Sequence, residues 1–339
     1  MSPLQTIWFF IIGLLFTAYA ILDGFDLGVG FWYPFSGRDR HRRTMLRAIG
    51  PVWDGNEVWL VAAGGALFAA FPPVYAAAFS GMYLALMLVL LGLILRAVAI
   101  EFRGHDPSPR WRRAWDRAFA VGSILPALLF GVAVGNIVRG LPMDDAGNFA
   151  GSFIGLLNPY ALVVGLLSLA MFATHGALYV AVKTEGYLAA RARRWAQTAW
   201  VGYVLLFVVV TAATLATQSR ARENFDLAPR LWILPVGALA AIVMIGLLNR
   251  GGRERKAFAL SSVSIVALMA LWGAAIFPDL VPALGRPDRS LSAMNASSSE
   301  LTLKTMLILA ALAMPFVIAY TTWVYRTFGG KVRLDDEAY

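Results

Sequence analysis

Seven ionisable side chains interrupt stretches that are otherwise apolar: Asp23, Asp26, Asp54, Glu57, Arg96, Glu101 and His175. A charge at the centre of a membrane helix costs about 2.5–3.5 kcal/mol on insertion scales, so each such residue needs a partner or a function. Asp23 and Asp26 are three residues apart, as are Asp54 and Glu57, so each pair can share one helix face. Carboxyls in low-dielectric surroundings can hold protons near neutral pH and release them. The chemistry this set suggests is therefore a proton or cation path. The bland alternative is that Arg96 neutralises one carboxylate while the others face water near the membrane surface.

His175 is the only histidine within an apolar stretch; His41 and His105 fall in basic connections. A bis-histidine haem needs two facing imidazoles, which one such residue cannot supply, while a His–Met pair stays open. Among small neighbours (Ala173, Thr174, Gly176), a hydrogen-bonded packing role suits His175 best. The chain has no cysteine, which excludes disulfides, thiolate metal sites, iron–sulfur clusters and a Cys nucleophile. It also lacks a Walker-type loop, His-Glu-x-x-His, Gly-x-Ser-x-Gly and a dinucleotide fingerprint.

The elements that must hold these residues are membrane helices. The chain is 59% hydrophobic and 14% charged, against about a quarter charged in soluble proteins. Its mean hydropathy is +0.66. Apolar stretches at about 6–33, 52–72, 74–100, 118–139, 156–182, 195–217, 229–249, 257–277 and 303–328 match the roughly 20 residues that span a bilayer. The reading is an all-α integral membrane protein of about nine helices. Nothing basic precedes the first stretch, so Ala18-Tyr19-Ala20 reads as part of a retained helix rather than a leader cleavage site. Ser297 and Glu300 have capping-box spacing and predict the start of the ninth helix. Gly24 and Gly28 form a small-xxx-small pair suited to close helix contact. Most of the eleven Trp residues lie near helix ends, as interfacial anchors do.

Basic residues alternate from loop to loop. The connections 34–51, 101–117, 183–194 and 250–256, with the tail residues Arg326, Lys331 and Arg333, hold 21 Lys and Arg. The opposite side holds seven: Arg139, Arg220, Arg222, Arg230, Arg286, Arg289 and Lys304. The positive-inside rule then predicts an external N-terminus and a cytoplasmic C-terminus. The net charge of +9 reads as topology and lipid contact rather than as a nucleic-acid surface. With this orientation all seven ionisable residues fall in the cytoplasmic half; Asp23, for instance, lies about 25 Å along the first helix.

At these residues the chain resembles subunit II of cytochrome bd-type quinol oxidases. Leu22-Asp23-Gly24-Phe25-Asp26-Leu27-Gly28-Val29-Gly30 is similar to the end of that family's first helix, and Pro51-Val52-Trp53-Asp54-Gly55-Asn56-Glu57-Val58-Trp59-Leu60 to the start of its second. The likeness continues through Ala63 to Pro72 and Tyr75 to Gly81. It reappears at Arg96 with Glu101-Phe102-Arg103, at Arg110-Trp111-Arg112 with Trp115-Asp116, and at Gly135-Asn136. Leu156-Leu157-Asn158-Pro159, Asn295-Ala296-Ser297 and Leu301-Thr302-Leu303 complete it.

The resemblance implies two four-helix bundles, 1–140 and 156–277, with a peripheral ninth helix at 303–328. It implies a homologous partner, subunit I, that holds two haem b and one haem d, oxidises quinol and reduces oxygen to water. Subunit II would bind no haem, stabilise its partner and contribute to a cytoplasmic proton path. Asp54 is the foremost candidate for that path, followed by Asp23, Asp26 and Glu57, with Arg96, Glu101 and His175 supporting. A structural quinone in some members, a small single-helix subunit, membrane lipid and a bacterial inner-membrane location belong to the same implication. Departures are Val52, where some relatives have His, His175, where some have Gln, and a connection at 217–229 that is longer in some members; the short form suggests the cyanide-insensitive branch. Two other readings compete: a cation-coupled secondary transporter, disfavoured because acidic pairs occur only in the first half, and a purely structural assembly subunit.

Overall fold

The computed structural model describes residues 1–145 and 147–332; Arg333, counted above with the basic tail, lies outside the described residues. The apolar stretches fold as helices throughout. In chain order they are α1 (Pro3–Trp32), α2 (Asp39–Ile49), α3 (Trp53–Ala70), α4 (Pro72–Gly81), α5 (Tyr83–Phe102), α6 (Pro109–Arg139) and α7 (Phe153–Leu156). There follow α8 (Pro159–Lys183), α9 (Gly186–Thr217), α10 (Ser219–Leu227), α11 (Ile233–Arg250), α12 (Glu254–Ile276) and α13 (Glu300–Thr327). Among the described residues eight helices are long and apolar enough to cross a membrane: α1, α5, α6, α8, α9, α11, α12 and α13. The protein is an integral membrane protein. α3 is not one of the eight. Its 18 residues include Asp54, Asn56 and Glu57 at one end, so it depends on its neighbours to stay among apolar surroundings.

Two local expectations are corrected, and the short connection at 217–229 is largely helical, as α10. The stretch 74–100 is not one helix: the chain breaks at Met82 between α4 and α5, and α4 packs against the strand Asp279–Val281. The ninth helix is capped by Ser299, whose hydroxyl accepts from the Thr302 amide, not by Ser297. Ser297 is diverted to another bond, accepting from Gln5 Nε2 at 2.9 Å, and Gln5 also completes the capping box with Ser2 that starts α1.

α1 is the axis of the assembly. It packs on α3, α6, α8 and α12, and α8 in turn packs on α6 and α9. The closest crossing is α1 with α8. A Cβ added at Gly28 would lie 1.9 Å from the Phe172 carbonyl oxygen and 2.8 Å from Gly176 Cα, so the expected small-residue approach is realised backbone to backbone. Farther along α1 the Trp32 indole stacks on Trp195 at 5.3 Å and donates to the Ala173 carbonyl at 2.8 Å. α13 runs along the outside, touching α1 and α3. It is tied at one end by Trp8 Nε1 donating to the Leu303 carbonyl at 3.0 Å, and at the other by Tyr325. At the arginine-poor end two short antiparallel strands, β1 (Asp279–Val281) and β2 (Leu291–Ser292), anchor the long connection before α13.

Gly28→Val tests this axis. The added side chain meets backbone that cannot move aside, so destabilisation should reach or exceed the about 1–3 kcal/mol typical of overpacking. Thermal unfolding of the solubilised protein should show a clear fall in midpoint.

Candidate polar cluster

The site grows from α1, α3 and α5 where they meet. The i,i+3 spacing turns Asp23 and Asp26 of α1 inward, and both are fully buried. Arg96, also fully buried, approaches from α5. Its placement depends on Gly122 of α6: a Cβ there would fall 2.7 Å from the Arg96 backbone nitrogen. Arg96 Nη2 donates to Asp23 Oδ1 at 2.7 Å and also binds Glu57 Oε1, so one guanidinium joins carboxylates of two helices. A charge pair buried this deeply holds only because its members meet directly, since either one alone would be left uncompensated.

One turn further along, Asn56 of α3 donates from Nδ2 to Asp26 Oδ2 at 2.8 Å and to the Leu22 carbonyl at 3.0 Å. Its Oδ1 accepts from the Tyr325 hydroxyl at 2.8 Å. Asp23 Oδ2, Asp26 Oδ1, Tyr19 Oη, and Arg96 Nε and Nη1 are buried with no hydrogen-bond partner from the protein.

The structure thus brings Asp23, Asp26, Glu57 and Arg96 together and leaves three of the sequence candidates outside. Asp54 is exposed at the start of α3, within electrostatic reach of Glu57, whose side chain is one-quarter exposed. Glu101 is exposed at the end of α5. His175 is fully buried on α8 but faces another way. Its Nε2 lies 3.0 Å from the Ile21 carbonyl, which can only accept, so Nε2 carries the proton; Nδ1 lies 2.6 Å from Ser261 Oγ. The ring also stacks on Phe258 at 4.6 Å. Both ring nitrogens are therefore engaged by protein groups. Among the described residues no three His, Asp or Glu side chains are placed to hold a metal ion.

Two participants carried no signal that charge counting could find. Asn56 is an uncharged amide between two acidic residues, and Tyr325 reads as an interfacial aromatic near a helix end. A second network, at the arginine-rich end, was partly visible in the Arg103 and Trp115-Asp116 motifs. Arg103 Nε donates to Asp116 Oδ1 at 2.6 Å and its Nη2 to Asp39 Oδ1 at 2.5 Å, while Arg42 Nη1 donates to Asp116 Oδ2 at 2.8 Å. These bonds tie α2 to the adjoining ends of α5 and α6. Burial works against the charge on Asp39, but the hydrogen bond and charge of Arg103, backed by Arg112 and Arg43, hold its carboxyl below the ordinary 3.8.

The sign of the resulting pH dependence follows. A depressed carboxyl contributes its stabilisation fully above the unfolded-state value and loses it as pH falls through the lower folded-state value. Thermal midpoints of the solubilised protein should decline across that acid window, and Asp39→Asn should flatten the decline. The Asp39 side chain is 41% exposed, so high salt should weaken the effect as well.

The family model for cytochrome bd terminal oxidase subunit II matches residues 4–328. The chain is 37% identical over 364 aligned residues to cytochrome bd-I ubiquinol oxidase subunit 2 of Escherichia coli K12, covering 98% of this chain and 96% of that one. It is 33% identical to cytochrome bd ubiquinol oxidase subunit 2 of Bacillus subtilis, covering 98% of each. The fold is shared with the bd oxidase structure from Geobacillus thermodenitrificans, at a TM-score of 0.77 and 16% identity, over 96% of this chain and 99% of that one. By sequence across nearly its whole length, this chain belongs to the cytochrome bd terminal oxidase subunit II family.

Proposed function

We propose that this chain is the haem-free second subunit of a quinol:oxygen oxidoreductase, that it stabilises a haem-bearing subunit I, and that it forms part of the route by which protons reach the oxygen chemistry from the cytoplasm. The observation that carries this reading is a gradient of burial along one line of acidic groups. Asp54 is exposed, Glu57 is partly buried, and Asp23 with Arg96 is fully buried. These inner groups and their neighbours Asp26 and Tyr19 keep buried polar atoms without protein partners, the kind that ordered water satisfies in protein interiors. Such a line offers protons successive resting places from surface to interior.

The position of Asp54 also supports a partner. The outward face of α3 presents Asp54, Gly55, Val58, Val61, Gly65 and Phe68, and α5 exposes Leu84, Met87 and Leu91. Lipid would suit every one of these except the carboxylate, which is costly against hydrocarbon. We therefore place subunit I against this face, where it would cover Asp54 and receive the proton route. The bundles 1–140 and 156–277 then divide the work: the first supplies the polar cluster and the second its apolar backing. α13 would face lipid or a small single-helix subunit. The arginine-rich end faces the cytoplasm, with the N-terminus outside, in the bacterial inner membrane. Quinol and oxygen are substrates of the whole complex and the haems belong to subunit I. A transporter reading is weaker, because α8, α9, α11 and α12 contain no buried carboxylate among the described residues.

Asp54→Asn tests the proposal in the assembled complex. Oxygen consumption should slow at least several-fold while haem content stays normal. Unchanged oxygen consumption at normal haem content would reduce the chain to a purely structural role.

A further inference from the structure

Arg96 can satisfy only part of the acid around it. It contacts Asp23 and Glu57, while Asp26, equally buried, has no cation in contact and bonds only to the amide of Asn56. Three carboxyls therefore share one guanidinium. Facing Asp26 are Asp23 from its own helix, Glu57 of α3, Arg96 of α5, Tyr179 of α8 and Tyr325 of α13.

The hydrogen bonds around Asn56 have a determined direction. The Leu22 carbonyl can only accept, so the group that meets it must be Nδ2 of Asn56. The other face of the amide is then Oδ1, and Tyr325 must donate to it. The same Nδ2 donates to Asp26 Oδ2, which must present a lone pair there. A carboxyl's carbonyl oxygen accepts such a bond better than its hydroxyl oxygen does, so the bond favours a proton on Oδ1, the oxygen that is buried and has no partner from the protein.

We propose that Asp26 carries the transferable proton of the cluster on Oδ1, and that Tyr325 of α13, acting through Asn56, is the residue that positions it. This deepens and rests on the proton-path reading above. The step moves a proton alone: the Oδ1–H bond breaks, a carboxylate of the Arg96 pair accepts the proton, and Asp26 is reloaded from the cytoplasmic side. No electron changes hands. α13 thereby gains a role beyond its place on the outside of the fold, since Tyr325 near its end orients, through Asn56 of α3, a group on α1.

The test uses the purified complex with its haem-bearing partner. Infrared difference spectra between the oxidised and reduced forms, in H2O and D2O, report the carbonyl stretch of protonated carboxyls. Such a band should be present, should vanish in Asp26→Asn, and should shift in Tyr325→Phe, which removes only one hydroxyl. Tyr325→Phe should also slow oxygen consumption several-fold with haem content and the KM for quinol unchanged. Should Asp26→Asn fail to assemble, the shift in Tyr325→Phe decides. A band that persists in Asp26→Asn, or a Tyr325→Phe complex with an unshifted band or unchanged turnover, overturns the proposal. If Asp54→Asn is slow while Tyr325→Phe is not, this inference alone fails; if neither is slow, the proton path itself fails.

Discussion

One buried guanidinium joins three helices of this protein. Arg96 is fully enclosed, and it reaches Asp23 on α1 and Glu57 on α3 from its own place on α5. A cation in that position would be intolerable without its acids, and the acids without their cation. The interaction therefore fixes how three helices rotate against one another. Gly122 lets α6 close in on the Arg96 backbone, and the Gly28–Gly176 crossing brings α8 against α1. Small residues set the distances, and the ion pair sets the angles.

The same arrangement gives each acidic group a different setting. Asp54 remains at the surface, Glu57 spans surface and interior, Asp23 is locked to the cation, and Asp26 is held by an amide. Groups of one chemical type thus sit in settings that run from the surface to full burial, which is what the proposed route calls for. The arginine-rich end is stiffened separately by Arg103, Asp116, Asp39 and Arg42, which pin α2 to the ends of α5 and α6. That network fixes the floor of the cluster without touching it.

Much of this was legible in the sequence. Hydropathy marked the helices, and i,i+3 spacing put Asp23 and Asp26 on an inner face. What it could not give was helix rotation. Asp54 and Glu57 lie about 60° apart around a helix, so one face can hold both, yet only Glu57 reaches inward. Nor could spacing choose which carboxylates Arg96 would meet. Ser297 has the right distance to Glu300 for a cap, but a tertiary bond from Gln5 claims it and Ser299 takes over. The break at Met82 was hidden because α4 and α5 are both apolar, and a hydropathy window cannot see a bend. Asn56 and Tyr325 were missed for a related reason: their importance lies in hydrogen-bond direction, which residue type alone does not reveal.

The most direct measurement compares Arg96→Met with the combination Arg96→Met, Asp23→Asn and Glu57→Gln in the assembled complex. The single substitution should cost about 3–5 kcal/mol by leaving two carboxylates unpaired. The combined variant removes the charge on both sides. Its thermal midpoint should recover most of that loss, and it should assemble with full haem content yet reduce oxygen slowly. A combined variant less stable than Arg96→Met alone, or one that assembles and turns over at the normal rate, would contradict the claim that this ion pair both holds the helices and lies on the proton route.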